Sequence, residues 1–268
     1  MWRNAGGDPT CVDLDTYGSD RLGTADAQVG FGISALSGGG QCTTYWTGLA
    51  GRDVWRYDAG DSTTELLDAG GGSADGFVMR VDGSDGLACG VAAAHGWNLR
   101  LTPSEAATVV WGNRVATNAC AEGAVATVLI SDAAGSTVAL NRCQQGGSCD
   151  VVDPGLVLAG GDSQLLVTGL SPAGNLRWYA VFGPVAEAAF DAGGAPVGVA
   201  RDNLALDNRG NAYLAFATTG PLATENVSLV TECLGLQLDA PVGVYVAAFA
   251  EGGTADNAAC SWAHYIAP

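Results

Sequence analysis

The chain reads as an all-β protein, a β-propeller of about six blades built from repeated antiparallel hairpins. Three observations carry that reading. Six segments share one plan: a short apolar run, a glycine-containing turn and a second run. The last apolar residue before each turn is Leu36, Val81, Ile130, Leu170, Leu206 and Phe249, so the copies lie 45, 49, 40, 36 and 43 residues apart. A propeller blade, four short strands in roughly 40–50 residues, has that period. Finally, 40 glycines and only 15% charged residues suit many tight turns joining buried strands.

Residues 1–28 read as irregular. The first hairpin covers residues 29–51 and turns at Gly38-Gly39-Gly40. Residues 53–57 and 63–67 follow as strands, and Gly70-Gly71-Gly72-Ser73 marks a surface loop or a junction. The second hairpin, residues 75–96, turns at Gly83-Ser84-Asp85-Gly86. Residues 97–101 and 107–111 are strands joined through Pro103-Ser104-Glu105. The third hairpin, residues 124–143, turns between Asp132 and Gly135, and a short strand runs over residues 149–158. The fourth, residues 164–183, is the clearest copy, because Ser171-Pro172-Ala173-Gly174-Asn175 sits between two pleat-compatible runs. Residues 185–190 carry the one helix signal. The fifth hairpin, residues 203–220, places Gly210-Asn211 where the fourth has Gly174-Asn175, and the sixth covers residues 244–266. A single domain over residues 1–268 is expected, with a pair of β-sandwich domains divided near residues 146–148 as the alternative.

Three of these segments resemble a known family. Asp75-Gly76-Phe77-Val78, Gly174-Asn175-Leu176-Arg177-Trp178 and Asp207-Asn208-Arg209-Gly210-Asn211-Ala212-Tyr213 are similar to the β-propeller repeat of bacterial secreted proteins. The resemblance covers the middle and C-terminal two thirds of the chain. In that family both motifs alternate inside one blade, so six hairpins could be shared among fewer, larger blades. The resemblance implies a secreted or cell-surface scaffold and carries no catalytic residues to transfer.

Charge and cysteines bound the setting. Twenty-eight acids face eleven bases, every base is arginine, and the net charge is −17. Phosphate binding needs clustered Lys and Arg, which are missing, so nucleic acid is not expected as a partner. Anionic membranes are disfavoured for the same reason, and no run reaches the ~18 apolar residues of a membrane helix. No apolar run follows Trp2-Arg3-Asn4-Ala5-Gly6, so Met1 reads as the start of a mature or truncated chain. Eight cysteines without a C-x-x-C spacing, beside only two histidines, point to four disulfides in an oxidising compartment rather than to zinc. Cys11 to Cys42 and Cys89 to Cys120 span the same interval of 31 residues. That favours sequential pairing, with Cys143–Cys149 and Cys233–Cys260 completing the set.

Candidate site residues are few. Asp13 and Asp15 stand at alternate positions before Gly18, with Asp20 after it, as calcium ligands can, but the fifth and twelfth positions of such a loop hold Tyr17 and Thr24. A polar turn is the plainer account. His95 and His264, each late in the outgoing strand of a hairpin, could share a rim as metal ligands or serve as structural residues. Gly161-Asp162-Ser163 echoes an esterase tripeptide but lacks its Asp-x-x-His and its strand-to-helix setting. Trp46, Trp178 and Trp262 recur at matching hairpin positions, which suggests packing between repeats. Trp55, Trp97 and Trp111 fall outside that register and are the candidate ligand-stacking residues.

These readings lead to a secreted, disulfide-stabilised, non-catalytic β-repeat module for binding or extracellular assembly. Its expected partners are a protein or glycan at the cell surface, or further copies of itself, with no cofactor beyond a conceivable calcium ion. The alternatives are a carbohydrate-active enzyme using paired carboxylates, which would sit roughly 5–10 Å apart, and a calcium-binding adhesion module.

Overall fold

A computed structural model describes residues 29–38, 41–50, 54–58, 63–68, 75–84, 94–105, 108–117, 123–131, 135–143, 149–156, 158, 163–186, 189–190, 196–197, 202–207, 209–225, 242–250 and 260–268. All regular structure in them is strand. In chain order these are β1 (Val29–Gly38), β2 (Gln41–Ala50), β3 (Val54–Asp58), β4 (Thr63–Asp68), β5 (Asp75–Ser84) and β6 (Ala94–Pro103). Next come β7 (Val109–Ala116), β8 (Ala124–Ser131), β9 (Val138–Cys143), β10 (Cys149–Leu156), β11 (Ser163–Leu170) and β12 (Leu176–Val185). The remainder are β13 (Ala189–Phe190), β14 (Pro196–Val197), β15 (Asp202–Leu206), β16 (Ala212–Glu225), β17 (Gly243–Phe249) and β18 (Cys260–Ile266). Among the described residues no helix is long and apolar enough to cross a membrane.

Local turn chemistry explains the hairpins. At Ser171–Asn175 the Gly174 amide donates to the Ser171 carbonyl, and the Ser171 amide donates to the Asn175 carbonyl, both at 2.9 Å. Gly174 sits at φ 76°, a left-handed conformation cheap only for glycine. Asp207–Asn211 repeats the arrangement with Gly210 at φ 86°. Both are three-residue hairpin loops closed by a left-handed glycine. Strand pairs β11–β12 and β15–β16 are thus expected hairpins, and β1–β2 and β17–β18 also pair antiparallel as expected. β5 instead pairs with β6, which takes in residues 97–101, expected as a separate strand after the second hairpin.

The third expected hairpin does not form. β8 pairs with β7 and β11, whereas β9 pairs with β6 and β10. The link between β8 and β9 thus crosses from one sheet to another. The reason lies in β8 itself, which is buried at every position and needs cover on both faces. Residues 185–190 also differ from expectation. β12 runs through Val185, the Ala186 amide donates to the Ala217 carbonyl at 2.8 Å, and β13 pairs with β14, so sheet ladders take the backbone groups a helix would need. Gly83 and Ser84 lie within β5, opposite Cys42 and Gln41, instead of forming the turn of their hairpin.

The strands do not stand as separate four-stranded blades. They join edge to edge into a six-stranded antiparallel sheet, β1-β2-β5-β6-β9-β10, and an eight-stranded one, β18-β17-β16-β12-β11-β8-β7 with β15 beside β16. The larger sheet turns a corner in β16. The start of that strand pairs with β15 and β17, while residues 223–225 pair with β12. Gly220 and Pro221 occupy the bend, where a proline lacking an amide removes no ladder bond.

The corner produces three layers. Val78, Trp97, Leu99, Leu101 and Leu140 of the six-stranded sheet pack on Ala126, Val128, Ile130, Leu166 and Val181 of the larger one. The opposite faces of the same central strands, through Leu129, Leu165, Val167 and Phe182, pack on Leu214, Phe216, Tyr245 and Phe249 of the turned portion. The expected alternative boundary, residues 146–148, lies outside the described residues. Its flanking strands, β9 and β10, pair with each other and are bridged by Cys143–Cys149.

That bridge matches one expected disulfide. Cys260 is disulfide-bonded as well. Cys11, Cys89, Cys120 and Cys233 lie outside the described residues, as does the side chain of Cys42, so the other pairings are not described.

Candidate functional site

Two of the three residues chosen from sequence as stacking platforms, Trp97 and Trp111, are not at a surface. Trp97 is 3% exposed. Its ring packs edge-on against Tyr45 at 6.0 Å, and its Nε1 donates to the Pro172 carbonyl at 2.8 Å. Gly174 lies so close that a Cβ there would fall 2.7 Å from the indole. Arg80 donates to the same Pro172 oxygen, and Arg142 donates to the Ala173 carbonyl and to Asn175 Oδ1. Together these donors tie the β11–β12 turn to the six-stranded sheet, so Trp97 serves as an anchor between layers. Trp111, also 3% exposed, belongs to the core inside the turned sheet. Trp55 lies on β3, with its side chain outside the description. Asp13, Asp15 and Asp20 lie outside the described residues too.

The motif residue Asp75 has a structural setting. Its Oδ2 lies 3.5 Å from Arg100 Nε and accepts from Thr102 Oγ1 at 3.1 Å. The pair is buried on the face of β5 and β6 that points away from the central strands, alongside Phe77 and Met79.

An open face occurs in the outermost layer. Strand parity sends Leu214, Phe216, Tyr245, Ala247, Phe249 and Ala263 inward. The alternate positions Tyr213, Ala215, Val244, Val246, Trp262, His264 and Ile266 therefore point outward. Val244 is 39% exposed and Ile266 54%, His264 is exposed, and Trp262 and Tyr213 are half-buried. Trp262 stands 6.3 Å from Tyr213 and 5.2 Å from His264, ring centre to ring centre. Tyr213 and Trp262 belong to strands separated by β17 and each sits opposite Ala248. The small alanine lets the two rings lean together over it. The row Tyr213–Trp262–His264 is thus a consequence of register and of one methyl-sized residue.

The face carries little charge. No Asp, Glu or Arg occurs from Ala212 to Thr224, in β17, or in β18, in a chain of net charge −17. Its polar end is the β15–β16 turn. Asp207 Oδ1 accepts from the Arg209 and Asn211 amides at 2.8 and 2.9 Å, and Oδ2 accepts from Asn211 Nδ2 and the Tyr213 hydroxyl at 2.8 and 3.1 Å. The Asn211 side-chain bond, assisted by the other donors, holds the Asp207 carboxyl below its ordinary value of 3.8. The bond from the Tyr213 hydroxyl to Asp207 pushes that hydroxyl up, because ionising it would cost the bond.

A carboxyl lowered on folding adds stability above its unfolded value, and that stability is lost as pH falls toward the folded value. Asp207→Ala is therefore expected to lower the melting temperature at neutral pH, with the gap to the parent closing below about pH 4. Melting curves from pH 3 to pH 7 test this. A gap that stays constant across the range contradicts it.

The face can stack planar groups and pack apolar ones. Among the described residues there is no cluster of three His, Cys, Asp or Glu side chains able to hold a metal ion. His95 lies on β6 of the six-stranded sheet, with its side chain outside the description, and His264 lies on β18 of the eight-stranded one. Of the three tryptophans expected in packing roles, Trp46 and Trp178 are buried, while Trp262 lies on the open face. Sequence reading missed Trp262 as a site residue. The available signal was His264 two positions later, which marks the solvent side of the last strand.

No family model matches the chain, and searches of curated proteins and of solved structures likewise return no match.

Proposed function

We propose that this chain is a secreted, disulfide-stabilised, non-catalytic β module that binds an extracellular glycan through the outer face of β15–β18. The observation that carries the reading is the uncharged row Tyr213–Trp262–His264, flanked by exposed Val244 and Ile266. Aromatic rings half-open to solvent present flat apolar faces beside polar edges, the chemistry that sugar rings require. The even cysteine count, the Cys143–Cys149 bridge and the resemblance of single motifs to secreted repeats support the extracellular setting. Neither the paired-carboxylate enzyme nor the calcium module gains a specific observation among the described residues.

Glycan-array binding followed by titration of Trp262→Ala tests the proposal. A central tryptophan contributes on the order of 2 kcal/mol to such contacts, so binding is expected to weaken about thirtyfold. Failure of the wild type to bind any glycan, or unchanged binding by the variant, would overturn it. An array on which only surface proteins bind would replace the ligand class.

A further inference from the structure

The two ends of this β-structure are finished differently. β10, at one edge of the six-stranded sheet, carries Asp150, Asp153 and Pro154, and its pairing with β9 shifts register twice, after Val151 and after Asp153. Charges, proline and bulges are the devices by which a natural sheet edge resists a second strand. At the outer end of the larger sheet, β7 has β15 and strands of the six-stranded sheet against it. Among the described residues, β17 is the strand that packs closely on β18. The sequence of β18, CSWAHYI, contains no charge and no proline, and its ladder with β17 is in register from Val244↔Ile266 to Ala248↔Trp262. Among the described residues nothing pairs with its outer side.

We infer that β18 is a self-association edge, through which two copies of this chain pair antiparallel and continue the eight-stranded sheet across a two-fold axis. A second copy is the occupant that the charge pattern favours. Net −17 makes two copies repel over most approaches. β17 and β18 carry no charged residue, so approach here brings no like charges opposite one another. A two-fold contact uses the same strand on both sides, so the edge need match only itself. With the axis at Ala263, Trp262 faces His264 of the partner subunit, and two small alanines meet on the buried side. Pairing then doubles the length of the aromatic row. The inference rests on the edge and not on the glycan reading, since a dimer can form whether or not the row binds sugar.

Light scattering and hydrogen exchange on the full chain test it. The wild type is expected to show a concentration-dependent monomer–dimer equilibrium, with the amides of residues 261–266 exchanging more slowly in concentrated than in dilute solution. His264→Lys, and separately Ser261→Lys, place gatekeeper charges at exposed positions and are expected to weaken the dimer about tenfold. Both should keep the wild-type melting temperature of the dilute monomer. A wild type that stays monomeric, a dimer indifferent to both lysines, or slowed exchange in another strand would overturn the inference. So would β18 amides equally protected at every concentration, which would mean that the chain covers its own edge.

Discussion

Gly112→Ala is expected to cost about 3 kcal/mol or more, the upper end of what overpacking a core usually costs. β7 crosses the six-stranded sheet at this residue. A Cβ on Gly112 would lie 1.7 Å from Thr47 Oγ1, 2.6 Å from the Phe77 carbonyl oxygen and 2.9 Å from the Gly48 amide nitrogen. Thr47 could rotate only by giving up its 2.8 Å bond to the Phe77 carbonyl. The other two atoms are backbone, so the layers themselves must part. Gly135→Ala is the control. Gly135 has φ 77° but open space around its Cβ, so it should lose only the left-handed backbone cost of roughly 1–2 kcal/mol. Urea unfolding of both variants measures the difference. Equal midpoints for Gly112→Ala and the parent would show that β7 does not cross at that distance.

Phe182→Ala is expected to cost about 3–5 kcal/mol, the range for deleting a buried aromatic ring. Phe182 is fully buried and touches Phe216 at 5.0 Å and Phe249 at 6.0 Å between ring centres. Those three rings come from β12, β16 and β17, so they meet only because the larger sheet turns its corner. Phe216→Ala should therefore be sub-additive with it, both deletions opening one shared cavity. His264→Ala, on the open face, should stay within about 0.5 kcal/mol of the parent. Chemical denaturation separates these cases. A loss below about 1 kcal/mol for Phe182→Ala would mean that the inside of the turned sheet is not packed as described.

The open face was only partly legible. Alternation in β17 and β18 distinguishes two faces, but it does not say which one another layer will cover. Trp97 and Trp111 fell outside the hairpin register and looked free for a ligand. Trp97 is instead enclosed by a turn from the other sheet, and Trp111 lies in the core inside the turned sheet with residues of β8, β11, β12, β16 and β17. Trp262 matched the register of the buried tryptophans, yet no layer lies beyond it among the described residues. Identical hairpin positions received opposite environments because burial belongs to the neighbour and not to the strand.

The sequence by itself determined that the chain is β-structure and where most strands turn, since Gly174 and Gly210 act through their own φ angles and hydrogen bonds reach only across five residues. It also placed the Cys143–Cys149 bridge, whose partners flank one short loop. Only the tertiary structure decided that the hairpins fuse into two sheets stacked in three layers. Backbone N–H and C=O groups are the same in every strand, so a ladder accepts any neighbour. Which neighbour it takes is settled by the summed burial of side chains far apart in the chain, as when fully buried β8 leaves its sequence neighbour β9 to lie between two layers.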